Sequence, residues 1–119
     1  MTDVSDRPWS QVTRASYATG DEYCAACLID ENAPGDPKRK SRCKLPVYEP
    51  DTLGGRLNRH AVRAAADRLL RRQGGVDAPD PLKQSAARRL LRLYSEIEER
   101  PPRGLGVLAG VPEQPIGLA

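Results

Sequence analysis

Residues 19–47 read TGDEYCAACLIDENAPGDPKRKSRCKLPV and hold every cysteine of the chain: Cys24, Cys27 and Cys43. The opening TGDE is a capping-box pattern, in which the Thr19 hydroxyl and the Glu22 carboxylate satisfy free amides at a helix start. A short helix is expected from there through about Ile29. Tyr23, Cys24, Cys27 and Leu28 then share one helical face. Two prolines and a glycine in DENAPGDPKRKSR end regular structure, and the basic run Lys38, Arg39, Lys40, Arg42 has nothing apolar to bury. CKLPVYEP reads as extended, because Leu45 and Glu49 each precede a proline and are pushed away from the α region.

Downstream of this stretch the pattern becomes regular. DTLGG is a turn, and Asn58 is placed to cap a helix whose stripe is Val62, Ala65, Ala66, Leu69 and Leu70. Gly74 and Gly75 supply its stop. A second helix starts with Asp80 as N-cap and Pro81 in the first position. Its apolar face is Leu82, Ala86, Leu90, Leu93, Tyr94 and Ile97, and Pro101 and Pro102 end it. The short connection makes the two helices neighbours. The fold class expected is mainly α: a small αα-hairpin core with a short N-terminal helix, an extended KLPV segment and long irregular arms. The corresponding division is an N-terminal arm over residues 1–18, a helical domain over 19–102 and an extended C-terminal tail over 103–119.

A chain of 119 residues with no phenylalanine and one tryptophan must build its core from Leu, Val, Ile, Ala and a few tyrosines. Such a core is small, so a partner or an assembly that buries more surface is expected. The net charge of +3 is the residue of many charges of both signs, which fits nucleic-acid contact without arguing for it. The polar start MTDVSDRPWS has no apolar signal region, and no stretch is long and apolar enough to cross a membrane. The expectation is a protein of a reducing cytoplasm with thiols rather than disulfides.

Three chemistries compete for the cysteines. A Cys3His zinc site would take Cys24, Cys27, Cys43 and His60, but it lacks the second close pair of ligands usual in structural sites. A redox C-x-x-C prefers the start of a helix after a strand in a βαβ unit, and no such unit is visible. Packing cysteines that act as small hydrophobes rank first. One histidine and no motif around a serine give no catalytic constellation, so neither an enzyme nor a cofactor is expected. The basic loop, with Arg63, Arg68, Arg71, Arg72, Arg88, Arg89 and Arg92, makes a nucleic-acid accessory role the first alternative. A zinc-stabilised module is the second.

The run DEYCAACLID, then KSRCKLPVYEPDTLGGRLNRHAVRAAADRLLRR, then APDPLKQSAARRLLRLYSEIEERPP resembles a small domain of tailed bacteriophages and prophages. That domain, of unknown function, is found among head genes and beside capsid-maturation proteases. The resemblance covers residues 22–102 and carries no catalytic residue. It implies a structural virion protein assembled in the host cytoplasm: a capsid decoration or cement protein, or a minor head protein. Its partner would be the major capsid protein or another head protein, bound in many copies. Candidate contacts are Trp9, Val12 and Tyr17 in the N-terminal arm, Lys38, Arg39, Lys40 and Arg42 in the loop, and Leu105, Val107, Leu108, Val111 and Ile116 in the tail. Aromatic and arginine side chains are the usual energetic centres of an interface.

Overall fold

The computed structural model describes residues 3–71 and 75–110. Helix α1 spans Gly20–Ala26, and the Thr19 side chain accepts the Glu22 amide at 3.1 Å, as the sequence signals. The reciprocal half of the box is displaced. The Glu22 carboxylate reaches the amides of Ala18 and, at 2.8 Å, of Asp51, and so ties the helix start to a distant turn.

The helix does not continue to Ile29. Cys27 is already extended, and strand β2, Cys27–Asp30, pairs antiparallel with β3, Cys43–Pro46. Cys27, Leu28 and Ile29 are all buried. A short apolar run buried on every side has no period by which helix and strand can be told apart. The ladder extends beyond β3, for Val47 N–H donates to Ala26 O and Asn58 N–H to Val47 O, each at 2.9 Å. Strand β4, Leu57–Asn58, follows the Asp51–Leu53 turn and pairs in parallel with β1, Val4–Ser5. The N-terminal segment is thus stitched to the body of the protein.

Helices α2, Arg59–Leu70, and α3, Asp80–Glu96, form where the sequence places them, but α3 starts one residue early: Pro79 is the N-cap, and Asp80, expected to cap, is the first helical residue with Pro81 second. The Asn58 side chain caps α2 by accepting the Ala61 amide at 2.9 Å. Its amide group donates to Arg7 O and to the buried Glu49 carboxylate. Val62, Ala65, Ala66 and Leu69 face Ala86, Leu90, Leu93 and Ile97 in one cluster, which also contains Leu28, Ile29, Leu45, Val47 and Leu57. A fourth helix, α4, Leu105–Leu108, adds Leu105 and Ala109 to the same cluster. Residues 103–110 therefore pack on the core.

The mainly-α hairpin core expected from the sequence is corrected by this arrangement. The globule is mixed: among the described residues, four α-helices share their apolar faces with two two-stranded sheets. The physical cause is burial. Leu28, Ile29, Leu45 and Leu57 of the strands, with Val47 just after β3, stand inside the core beside the helical residues, so the helices do not close the core on their own.

Candidate functional site

A second, smaller cluster packs Tyr17, Tyr23, Cys24, Ala26, Cys27 and Cys43 beneath the basic loop. Here Cys24 of α1 and Cys43 of β3 are joined in a disulfide with Cα atoms 5.3 Å apart. This corrects the expectation of free thiols: β2 and β3 pair so that Cys43 lies opposite Asp30, beside the helix that carries Cys24. Cys27 is free and buried, and desolvation pushes its thiol up to about 12.

Asn32 organises the mouth of the loop. Its side-chain amide donates to the Cys43 sulfur at 3.3 Å and the Cys24 sulfur at 3.5 Å, and to the Asp30 carboxylate at 2.7 Å. Its carbonyl accepts the Arg39 amide at 2.9 Å, which folds the loop back onto its own start. Asp30 also pairs with the Lys38 ammonium. Partial burial opposes the Asp30 charge, but Lys38 and the Asn32 donors outweigh it and hold the carboxyl below its ordinary range. The glycine at position 20 is demanded by the same fold, because a Cβ there would overlap the Lys38 carbonyl.

The four basic loop residues separate into two kinds. Lys38 is paired with Asp30, and Lys40 donates to the carbonyls of Arg14, at 3.1 Å, and Tyr17. Arg39 and Arg42 are exposed and line an open polar groove of about 440 Å³ together with Glu31, Asn32, Ala33, Asp36 and Pro37. Two cations thus anchor the loop while two arginines face outward.

The candidate contacts of the N-terminal arm lie against the protein's own body. Trp9 is half-buried on the main core, and Val12 packs on the cysteine cluster. Tyr17 is 2% exposed, donates its hydroxyl to Tyr48 O at 2.6 Å and meets the Tyr23 ring edge-on at 5.0 Å. In the C-terminal segment Leu105 is buried, Leu108 is half-buried and Val107 is exposed. Val111 and Ile116 lie outside the described residues.

The zinc constellation proposed from the sequence divides. Cys24 and Cys43 meet, Cys27 is buried in the core, and His60 is exposed on α2. The helical arginines are largely occupied within the fold. Arg63 pairs with Glu99, Arg71 with Asp67, and Arg88 and Arg89 donate to the carbonyls of Ala109 and Cys27. Arg68 and Arg92 are exposed, and Arg72 lies outside the described residues. Asn32 and Asp30 were not singled out by sequence, since their role appears only once the loop closes on the disulfide.

No protein-family model, curated protein or solved structure gives a significant match to the chain.

Proposed function

We propose that the chain is a structural virion protein of a tailed bacteriophage that binds a head protein, as a decoration, cement or minor head component. The observation that carries this reading is the basic loop. It is exposed at residues 33–39, 41 and 42, yet fastened by the Asn32 hydrogen bonds, the Lys38 and Lys40 anchors and the disulfide at its base. A surface loop already ordered in this way loses little entropy on docking, which favours a binding role. The resemblance to the phage head-gene domain adds to the same reading.

Arg39 and Arg42 supply cations for an acidic patch of the partner, and Glu31 and Asp36 line the same groove. That mixture suits a protein surface with both signs of charge better than a uniformly anionic nucleic acid. The experiment is co-sedimentation of the purified protein with purified head particles, beside a gel-shift titration with duplex DNA at low salt. Saturable particle binding without a DNA shift is expected. A DNA shift without particle binding would replace this reading with the nucleic-acid one.

A further inference from the structure

The sulfurs of Cys24 and Cys43 and a carboxylate oxygen of Asp30 lie within 4.8 Å of one another. Beside them stand the Asn32 amide, aimed at both sulfurs, and the Lys38 ammonium on Asp30. We infer that this corner, once its disulfide is reduced, is a binding site for a thiophilic divalent cation such as zinc, with Cys24, Cys43 and Asp30 as ligands. The inference is independent of the virion reading, because it concerns the base of the loop and not what the loop touches.

The geometry suits the ion. Tetrahedral zinc with bonds of about 2.3 Å to sulfur places two thiolates about 3.8 Å apart, with a carboxylate oxygen at about 2.0–2.2 Å from the metal. The three donor atoms lie within 4.8 Å of one another, and parting the two sulfurs on reduction opens the space the ion needs between them. They come from α1, β2 and β3, elements fixed by packing and by the β2–β3 ladder. The charges also balance: two thiolates and one carboxylate against a divalent ion leave one negative charge, which the Lys38 ammonium offsets. Donation of an N–H from Asn32 to the sulfurs is the kind of outer contact that fixes metal-bound thiolates. Asn32 and Arg39 border both the sulfurs and the open groove, while Cys24 and Cys43 themselves are buried.

The redox step requires a two-electron reductant such as a dithiol. One of its thiolates attacks a sulfur of the disulfide, the mixed disulfide is resolved by its second thiol, and Cys24 and Cys43 are released as thiols while the reductant becomes a disulfide. Binding of the cation then displaces one proton from each thiol to solvent. The oxidised protein has no thiolate to offer and is the closed state of the site.

The test is titration of the full-length protein with cobalt(II), under anaerobic conditions, after reduction by a phosphine and removal of the reductant. The reduced protein should show one equivalent of sulfur-to-cobalt charge transfer and the intense visible bands of a four-coordinate ion. Excess zinc should bleach both, and the oxidised protein should show neither. Asp30→Asn should weaken binding ~10-fold or more, and Cys27→Ser should leave the spectrum unchanged. Absence of charge transfer in reduced protein that is folded by circular dichroism would overturn the inference. So would an unaltered affinity in Asp30→Asn, or loss of the bands in Cys27→Ser. Because the wild-type spectrum alone decides the main point, a variant that fails to fold does not leave the question open.

Discussion

Reducing the Cys24–Cys43 bond should lower the stability of the protein by about 3 kcal/mol. The cross-link joins residues 19 apart in sequence, and closing a loop of that length removes about 11 cal/mol/K from the unfolded chain in the chain-entropy account. At 25 °C this amounts to ~3 kcal/mol, a large share of the 5–15 kcal/mol that holds a typical domain together. With a urea slope of roughly 1–3 kcal/mol/M, the midpoint should fall by about 1–3 M. The assay is urea denaturation followed by circular dichroism, with and without a phosphine reductant. A chelator must be present in both arms so that a bound cation cannot stand in for the cross-link. Reduction of the wild type is a cleaner perturbation than serine substitution. A serine hydroxyl at position 24 or 43 would be buried among Tyr17, Tyr23 and Cys27 and would add its own desolvation cost. Coincident midpoints in the two arms would refute both the cross-link and its role as the fastening of the loop.

Three further outcomes follow from named contacts. Hydrogen bonds from Arg63 and Arg59 hold the Glu99 carboxyl down at about 2. Its stabilisation is therefore complete above the ordinary carboxylate range and lost as pH falls through that value, and melting curves of wild type and Glu99→Gln should converge between about pH 5 and pH 2. Gly20→Ala should destabilise by about 1–3 kcal/mol in the same urea assay, because the new methyl group must push back the Lys38 carbonyl. A stability equal to wild type would show that the loop does not lie against α1. The Cys27 thiol, pushed up to about 12 by burial, should react with a disulfide reagent at pH 8 only at the rate of unfolding, whereas direct second-order reaction of the native protein would place it at the surface.

The parts of the fold that could be read in advance are those with a long period and an N-terminal signal. Asn58 and the stripe from Val62 to Leu69 define α2, and Pro81 with Leu82, Ala86, Leu90 and Leu93 defines α3. The spacing runs for about two turns in α2, behind the Asn58 cap, and for about three in α3, behind a proline in the first turn. CLID failed because Cys27, Leu28 and Ile29 are buried in succession and leave no alternation to mark their period, and because the hydrogen bonds that make them a strand come from residues 43–46. The same pairing decides the chemistry. C-x-x-C draws attention to Cys24 and Cys27, yet the end of the helix at Ala26 sends Cys27 into the core and leaves Cys24 facing Cys43. The basic loop was recognisable from composition. The division of labour within it was not, because it depends on where the carbonyls of Arg14 and Tyr17 and the carboxylate of Asp30 come to rest.

The central claim is that Arg39 and Arg42, held outward by a fastened loop, carry the binding of a head protein. The most direct test is the dissociation constant for head particles of the Arg39→Ala/Arg42→Ala double variant beside that of wild type, both checked for an unchanged urea midpoint. Neither side chain is needed for the core, and exposed arginines at an interface centre are worth about 1 kcal/mol or more each. The account predicts binding at least ~10-fold weaker in the double variant, with stability retained. Equal affinity in the two proteins would contradict it.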